Sequence, residues 1–337
     1  MLFRSQAFVE TMVEVFREVR RVLHSSGTCW LNLGDSYTTG SGGNGTQSEK
    51  QKSNGGTQFE PRKQLAGMKP KDLCLIPWRV VLALQADGWW VRSVIVWHKK
   101  SCMPESVNSR PTNSWEPIFL LAKSAKYFYD AEAVKEQNTE DMQLRAAKGH
   151  TRGGNGKLDE SRCDHDTLRG EDAKAITASG RNQRNVWSLG PEPFSGSHFA
   201  VFPTEIPRRA ILAGTSERGC CPKCLAPWER VVEKGDDPTA MPLAEKPENG
   251  RTPPGHATVK PGSMGAGRET RTVGWQPTCK CDAGEPIPCT VCDPFGGSGT
   301  TGQVAIELGR KAILIELNEK YHDLIDKRTK VTQGFAF

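Results

Sequence analysis

Residues 289–302 read CTVCDPFGGSGTTG, and this stretch decides the fold of the chain. Its apolar start, glycine-rich middle and threonine pair predict a buried strand, a tight turn and the first turn of a helix. A nucleotide-binding α/β fold usually opens with such a turn, yet here only one more strand-helix-strand step fits before Phe337. We therefore expect the other strands of the sheet to precede residue 289.

Two ligand types fit the glycine turn, residues 296–299. Residues 297–302 satisfy the G-x-G-x-x-G pattern of dinucleotide sites, and Glu316 ends the next predicted strand, where such sites carry a ribose-binding carboxylate. Asp293 and Phe295 stand directly before the turn. A carboxylate would repel a pyrophosphate, whereas a carboxylate and an aromatic ring suit a cationic, adenosine-bearing ligand. The residues favour the cation, and an NAD-dependent oxidoreductase is the alternative.

Several blocks of the chain resemble one known family. Residues 293–301 (DPFGGSGTT) and 310–321 (RKAILIELNEKY) are similar to the S-adenosylmethionine-binding motifs of the permuted, beta-type DNA amino-methyltransferases. Residues 76–79 (IPWR), 94–99 (VIVWHK) and 116–123 (EPIFLLAK) resemble the middle motifs of that family, in the same order. The resemblance implies an α/β fold with a circularly permuted, doubly wound, Rossmann-like methyltransferase sheet, and S-adenosylmethionine as the cofactor.

The resemblance also implies a set of cofactor contacts. The contacts expected at the glycine turn are Asp293, Phe295, Gly296, Gly297, Ser298, Gly299 and Thr300. Glu316 is expected to bind the ribose hydroxyls. Phe202 and Pro203, in the block HFAVFP at 198–203, are expected to cover the other side of the cofactor.

Composition limits the classes to which the protein can belong. A chain of 337 residues can bury one sizeable α/β core and a smaller module. A net charge of +6 permits nucleic-acid binding without demonstrating it. The sequence has no run of about eighteen apolar residues and no signal-peptide pattern, so we expect a cytoplasmic protein with no membrane partner. In that compartment the 11 cysteines are expected to be core residues or metal ligands rather than disulfides.

Apolar periodicity predicts the elements of the first part of the chain. Apolar residues recur at three-to-four-residue spacing over 6–23 and 71–86, which predicts two amphipathic helices. Strands are predicted over 28–33, 89–97 and 115–122. A core of one sheet and two helices is therefore expected before residue 130.

Composition also divides the chain into segments. Residues 1–130 are expected to form the N-terminal part of the methyltransferase domain, with a mobile loop at 38–66 that is poor in apolar residues. The later segments are a polar, basic target-recognition insert (131–196), a cofactor-flanking segment (197–219), a zinc-binding insert (220–284) with a flexible loop (233–274), and the S-adenosylmethionine-binding βαβ unit (285–337).

Basic residues mark a candidate DNA surface. Residues 137–185 scatter arginines and lysines among glycine and polar residues, so this segment is either a solvated, partly disordered insertion or a segment that tracks phosphates and orders on DNA. Its position matches the target-recognition region of the resembled family, which implies double-stranded DNA as the partner. The candidate DNA contacts are Lys99, Arg110, Arg145, Arg152, Arg181 and Arg184.

Four cysteines form a second candidate site. Cys221-Pro-Lys-Cys224 and Cys279-Lys-Cys281 flank a glycine- and proline-rich stretch. Two close cysteine pairs can each occupy two vertices of a tetrahedral structural zinc site. The Cys-x-Cys spacing departs from the usual pair of Cys-x-x-Cys knuckles, and Cys220 could replace Cys221. Reduced surface thiols are the alternative to zinc.

Methyl transfer to a base needs groups that none of these blocks provides. The exocyclic amine of cytosine or adenine has a lone pair delocalised into the ring, so attack on a sulfonium methyl requires acceptors for the amine hydrogens. The base must also be flipped out of the duplex and stacked on an aromatic ring. The resembled family meets both needs with Asp, Asn or Ser followed by Pro-Pro-Tyr, and that tripeptide does not occur in the sequence.

Two explanations of this difference compete. In the first, Asp35, Ser36 and Tyr37 are a degenerate motif that supplies an acceptor and a ring. In the second, which we favour, helix 6–23 and strand 28–33 correspond to elements that follow the catalytic strand in the family. That strand would then lie upstream of Met1 in a longer reading frame. Loss of a central strand would leave the edges of its neighbours unpaired.

The expected function is site-specific transfer of a methyl group from S-adenosylmethionine to the N4 position of cytosine in DNA, because the resembled subgroup tends to carry Ser in the catalytic motif. A truncated chain would be weakly active. Adenine N6 is the alternative target. A non-catalytic, zinc-stabilised DNA-binding remnant is the alternative class, and the sequence leaves the oligomeric state open.

Overall fold

The computed structural model describes residues 3–38, 69, 71–102, 104–137, 180–192, 202–234 and 270–333. The candidate residues Arg145 and Arg152 lie outside the described residues, as do most of the predicted loops at 38–66 and 233–274. The chain divides into two units. Unit 1 comprises Met1–Tyr129, Asn185–Pro227 and Ala283–Phe337, and unit 2 comprises Asp130–Arg184 and Trp228–Asp282.

The helices of unit 1 are α1 (Phe3–Val22), α2 (Ile76–Ala86), α3 (Glu205–Gly214), α4 (Thr300–Glu307) and α5 (His322–Gln333), with a 3-10 turn at Glu319–Tyr321. The strands are β1 (Thr28–Asn32), β2 (Trp90–Lys99), β3 (Trp115–Ala122), β4 (Val186–Leu189), β5 (Trp228–Lys234), β6 (Thr270–Pro277), β7 (Thr290–Asp293) and β8 (Lys311–Leu314), of which β5 and β6 belong to unit 2. Over the described residues, no helix has the length and apolar character needed to cross a membrane.

Four strands of unit 1 form a mixed sheet in the order β1-β3-β2-β4. Strand β3 is antiparallel to β1 and β2, whereas β2 and β4 are parallel. Strands β7 and β8 form a separate parallel pair. The single doubly wound sheet expected from the sequence is thus divided, because no strand in the described ranges pairs with both β1 and β7. The predicted strand upstream of Met1 stays a prediction.

One face of the four-stranded sheet packs against α1 and α2. Leu31 of β1 pairs in register with Phe119 of β3, and both side chains are buried. Phe16 of α1 and Leu84 of α2 complete this cluster. The apolar stripe that predicts helix 6–23 is therefore the surface that α1 buries on the sheet.

The other face of the sheet packs against α3. Ile95 and Ile118 pair in register, and they share a buried cluster with Trp187 of β4 and Ile206 of α3. The ring of Trp30 stacks on Trp187 with 6.0 Å between the ring centroids. Helices on both faces leave the ends of the strands as the accessible edge of the sheet, which is where ligands of open α/β sheets bind.

The bounds predicted for most elements of this core agree with the structure to within a few residues. The predicted start of the second helix at residue 71 is wrong. Helix α2 begins at Ile76. Leu75 has a left-handed φ of 56°, and the amide of Cys74 donates to the carbonyl of Ser36 at 2.8 Å. The residues before Ile76 therefore make a long-range backbone contact in place of a helical turn, which periodicity cannot reveal.

Unit 2 contains the antiparallel pair β5–β6 and a 3-10 turn at Glu132–Val134. Arg230 of β5 donates to the buried carboxylate of Asp130 at 2.7 Å, and its guanidinium lies 4.4 Å from the ring centroid of Trp275. A buried carboxylate needs such a partner, because an unpaired charge away from water is costly. The unit joins parts of the predicted 131–196 and 220–284 segments, and the predicted segment boundaries stay predictions.

Replacement of Phe119 tests the position of the core. Its side chain is fully buried and meets Trp78 edge-on at 5.3 Å between ring centroids. We expect Phe119→Ala to lower the free energy of unfolding by about 3–5 kcal/mol, because the cavity lies inside the cluster. Thermal and urea unfolding measure the effect. Leu82→Ala is the control, since Leu82 is 62% exposed; equal stabilities of the two variants would contradict the assigned core.

Candidate functional site

The glycine turn joins β7 to α4, as the sequence predicts. Gly297 and Gly299 have φ values of 54° and 84°, in the left-handed region that favours glycine. A Cβ at Gly302 would lie 2.6 Å from the Leu314 side chain, so glycine allows α4 to lie directly against β8. The turn therefore presents its backbone at the ends of two parallel strands.

Two carboxylates hold the turn. Asp293 accepts hydrogen bonds from the Phe295 amide at 2.9 Å and from the Thr301 hydroxyl at 2.6 Å. Glu316 accepts a hydrogen bond from the Gly297 amide at 2.7 Å. Because β7 and β8 are paired and parallel, both carboxylates follow strands that end at the same edge. The structure thus brings together the two acidic residues that the sequence analysis selects, and two negative charges beside the turn suit a cationic ligand.

Arg328 of α5 is a third charged residue at the turn, and the sequence analysis does not identify it. One guanidinium nitrogen, Nη1, donates to the Ser298 hydroxyl at 2.8 Å and to the Thr300 hydroxyl at 2.5 Å. Burial lowers the pKa of the Arg328 guanidinium, and the nearby carboxylate of Glu192 partly offsets this effect. No local pattern marks Arg328, because its contacts depend on the packing of α5 against α4.

The predicted cofactor-flanking residues lie at the start of α3. Pro203 is buried, and Phe202 is half-buried against the cluster that contains Ile206. The carboxylate of Glu192 accepts hydrogen bonds from the Thr204 amide at 3.0 Å and from its hydroxyl at 2.9 Å. The segment is thus anchored at one end by Glu192 and at the other by the core.

Phe295 is the aromatic ring of the turn. It is 54% exposed, and its ring centroid lies 6.5 Å from that of Phe16 in α1. More than half of its surface is therefore available to a ligand, as expected for a ring that contacts an adenosine or a sulfonium.

The three residues that offer a degenerate catalytic motif lie just after β1. Asp35 accepts hydrogen bonds from the amides of Ser36 at 2.8 Å and Ile76 at 3.1 Å, and so connects the end of β1 to the start of α2. The guanidinium of Arg110 lies over the Tyr37 ring, 3.8 Å from its centroid. Asp35 therefore has a structural role in the fold, and a catalytic role for these residues stays a prediction.

Lys99, a candidate DNA contact, lies within a polar cluster at the end of β2. Its ammonium is 2.5 Å from a carboxylate oxygen of Glu116 and 4.8 Å from the ring centroid of Trp97. The side-chain amide of Asn32 donates to the other carboxylate oxygen of Glu116 at 3.3 Å. The charge of Lys99 is thus largely neutralised within the protein, and its contact with DNA stays a prediction.

The arrangement of these groups agrees with a comparison to known families. A family model described as DNA methylase matches residues 3–221 and 289–327. The chain belongs to this DNA methylase family. The matched residues include the glycine turn, both of its carboxylates and all described strands of unit 1. The predicted enzyme class, an S-adenosylmethionine-dependent DNA methyltransferase, is confirmed.

Relatives of this DNA methylase include the type II methyltransferase M.SmaI of Serratia marcescens, which is 33% identical over 95% of this chain and 73% of its own length. The type II methyltransferase M.Cfr9I of Citrobacter freundii is also 33% identical, over 95% of this chain and 71% of its own. Among solved structures, the PvuII cytosine-N4-specific DNA methyltransferase matches 98% of this chain and 76% of its own, at 13% identity and a TM-score of 0.48.

The match to the methylase family omits residues 222–288, where most of the candidate metal ligands lie. The Sγ atoms of Cys221, Cys224, Cys279 and Cys281 are all within 4.8 Å of one another. Cys220 is buried and stands outside this group. These four residues are the predicted ligands, and zinc binding by them stays a prediction.

Two further candidate DNA contacts of the methylase, Arg181 and Arg184, lie in unit 2 and share one carboxylate. Their Nε atoms are 3.0 Å and 3.4 Å from an oxygen of Glu136. Burial by itself would raise the pKa of the Glu136 carboxyl, but hydrogen bonds from Arg184 and Arg181 outweigh burial and hold this pKa below its ordinary value. Arg110 is likewise paired, with Glu105 at 2.6 Å. DNA contact by these arginines stays a prediction.

The lowered pKa of Glu136 predicts a pH-dependent contribution to stability. The charged carboxylate stabilises the fold above its ordinary pKa, and this contribution is lost as the pH falls through the lowered pKa. We expect Glu136→Gln to reduce the free energy of unfolding by about 1–2 kcal/mol at neutral pH, and by progressively less as the pH falls through the lowered pKa of Glu136. Unfolding curves at several pH values measure the difference. The exposed Glu233→Gln is the control, and a pH-independent loss in Glu136→Gln would contradict the assignment.

Proposed function

We propose that this chain is a site-specific DNA methyltransferase that transfers the methyl group of S-adenosylmethionine to the N4 amine of cytosine in double-stranded DNA. The observation that carries the proposal is the pair of carboxylates at the glycine turn: Asp293 is hydrogen-bonded to Phe295 directly before it, and Glu316 to Gly297 within it. A cationic nucleoside is attracted to this position. The family membership makes that nucleoside S-adenosylmethionine.

The cofactor site consists of the turn and the residues around it. Bound S-adenosylmethionine supplies a methyl group on a positively charged sulfur. Glu316 holds the Gly297 amide through one oxygen, and a carboxylate has further acceptor positions for the ribose hydroxyls. Phe295 offers an exposed ring, and Phe202 with Pro203 forms the other wall. The proposed contacts on the turn itself are Asp293, Gly296, Gly297, Ser298, Gly299 and Thr300.

The choice of cytosine N4 rests on the sequence resemblance alone. The block NLGDSY at 32–37 resembles the subgroup that carries Ser before Pro-Pro-Tyr. Adenine N6 is the second candidate, because the same chemistry applies to both amines. Either base must leave the duplex to reach an acceptor and an aromatic ring, and Asp35 with Tyr37 is the candidate pair within the described residues.

Analysis of the methylated base tests the target. We expect purified protein, incubated with labelled S-adenosylmethionine and plasmid DNA, to yield N4-methylcytosine when the DNA is digested to nucleosides and separated by chromatography with mass detection. N6-methyladenine would identify the second candidate. Binding of S-adenosylhomocysteine without any methylated base would support the non-catalytic class.

Ligand-dependent melting tests the cofactor site independently of catalysis. At about a hundred times its dissociation constant, S-adenosylhomocysteine is expected to stabilise the fold by about 2.7 kcal/mol and to raise the melting temperature by several degrees, whereas NAD should have no effect. We expect Asp293→Ala to abolish the shift, because it removes a negative charge and the hydrogen bonds from Phe295 and Thr301 that hold the residues on either side of the turn. Glu307→Gln, at the far end of α4, is the control. A shift with NAD alone would overturn the proposal.

We further propose that Cys221, Cys224, Cys279 and Cys281 hold a structural zinc ion. Four thiolates around Zn²⁺ lie about 2.3 Å from the metal and hence about 3.8 Å from one another. The Sγ atoms lie within 4.8 Å of one another, so a small contraction suffices. Two close cysteine pairs on either side of a long insert suit such an ion, because a metal closes the loop between them.

Elemental analysis tests the zinc site. We expect about one zinc ion per purified chain, and loss of that zinc with a lower melting temperature in Cys221→Ser and in Cys279→Ser, because three thiolates bind Zn²⁺ less well than four. Cys292→Ser is the control, since Cys292 is exposed and lies outside the cluster. Zinc-free wild-type protein, or undiminished zinc in both variants, would overturn the assignment.

A further inference from the structure

We propose that unit 1 contains a second binding site, which takes the phosphate groups of a small molecule. The site is a cavity of about 540 Å³ lined by Arg17, Arg20, Arg21, Asp87 and Lys123, which we call the basic cavity. Its volume lies within the range of about 300–1,000 Å³ that is typical of small-molecule sites. Because four of its five lining residues are cations, an anion with several charges fits it best.

The basic cavity lies at the edge of the four-stranded sheet that is opposite to the candidate catalytic residues. Its three arginines are in the last two turns of α1, Asp87 is the C-cap of α2, and Lys123 directly follows β3. Strand β3 ends where β1 and β2 begin, since Ala122 pairs in register with the first residue of each. Tyr37, the candidate ring for a flipped base, follows the other end of β1. The cavity is therefore separate from the candidate catalytic pair.

Two cations of the basic cavity, Arg20 and Lys123, have no carboxylate partner within the described part of the chain. Nη2 of Arg20 donates to the Gly88 carbonyl at 3.2 Å, and its Nε is buried without a hydrogen-bond partner. The ammonium of Lys123 donates to the carbonyl of Leu23. A carbonyl accepts a hydrogen bond but does not neutralise a full charge, so both cations keep an attraction for an anionic ligand.

Lys123 carries a charge that its surroundings in the protein disfavour. Burial lowers the pKa of its ammonium, and the positive charge of Arg20 lowers this pKa further. An anion bound between the two side chains would reverse the second effect, because an opposite charge nearby favours the charged form. Such opposed cations are more common at ligand sites than in parts of a protein that serve the fold alone.

The partial negative charge at the end of α1 accounts for only part of this arrangement. Arg20 and Arg21 belong to the last turn of the helix, where cations are favourable. Arg21 is also paired with Glu18 at 2.7 Å. Lys123 comes from a different element and adds a second unpaired cation close to Arg20. Because two like charges repel each other, an anion between them explains their proximity better than the helix end does.

The side chains of the basic cavity favour phosphate over other anions. A planar guanidinium and a compact ammonium, as in Arg20 and Lys123, are the two groups that most often bind phosphate oxygens. The one carboxylate of the cavity is neutralised, since Nε and Nη2 of Arg17 contact the same oxygen of Asp87 at 2.8 Å and 2.6 Å. Asp87 therefore repels an anion only weakly. A diphosphate or triphosphate group has enough charge to meet both unpaired cations at once.

The test measures the binding of inorganic pyrophosphate to the full chain by calorimetry at constant ionic strength. We expect the wild type to bind it, and Lys123→Met and Arg20→Met to bind it at least about tenfold more weakly, because each variant loses a charge-assisted hydrogen bond. Lys330→Met is the matched control. It removes the same charge from a side chain of α5 that is 74% exposed and lies outside the cavity, so its affinity should stay within about twofold of the wild type.

Several outcomes would overturn the proposal. Pyrophosphate that does not bind, or that binds the wild type and both cavity variants equally, would show that the cations serve the fold alone. Equal affinity for citrate would show an unspecific attraction for anions. Weaker binding of duplex DNA in the cavity variants, without pyrophosphate binding to the wild type, would identify the DNA backbone as the ligand instead. If Arg20→Met does not fold, Lys123→Met decides, and S-adenosylhomocysteine should bind all these variants equally because the cofactor site is separate.

Discussion

The hydrogen bond from the Gly297 amide to the Glu316 carboxylate, 2.7 Å long, joins the two strand ends on which the candidate site depends. The Gly296 amide adds a second link, to the carbonyl of Ile315 at 2.8 Å. Both bonds require the turn to pass close to the end of β8, and the left-handed backbone of Gly297 makes that approach possible. Glu316 therefore stabilises the turn and is also a candidate contact for the cofactor.

The same close approach organises the helices around the turn. Gly302 lets α4 lie against β8, and the opposite side of α4 buries Val304 and Ala305 with Ile211 of α3. Helix α5 then packs on α4 and brings Arg328 to the Ser298 and Thr300 hydroxyls. A candidate site with two carboxylates and one guanidinium thus results from the packing of three helices on two strands. Such a site is preorganised, because each charged group already makes a hydrogen bond to the turn or to a residue beside it.

Charged residues at the end of the four-stranded sheet are neutralised within the protein. Lys99 pairs with Glu116, and Arg110 pairs with Glu105 and covers Tyr37. Paired charges of this kind attract phosphates less than free ones, so a basic residue in the sequence is a weak predictor of DNA contact. The cysteine cluster is not part of the family pattern. Three of its four cysteines lie in residues 222–288, which the family model does not match.

Local pattern was sufficient for much of this protein. The glycine stretch, the acidic residues Asp293 and Glu316, and the apolar stripe of α1 each follow from residue spacing, since a strand, a tight turn and an amphipathic helix have short-range signatures. The cysteine spacing likewise selected four residues that lie together. The late start of α2 has a different origin. It results from a backbone hydrogen bond between Cys74 and Ser36, two residues that are far apart in the sequence, so the local pattern of apolar residues cannot predict it.

Packing determined the remainder. The pairing of Arg181 and Arg184 with Glu136 and the presence of Arg328 at the glycine turn both depend on which side chains meet across distant segments. Sequence periodicity assigns a residue to a face of its own helix or strand, but it carries no information about the partner on the facing element. Adjacent residues thus indicate the ligand type at the turn, whereas the contact of Arg328 with the turn arises only when α5 folds onto α4.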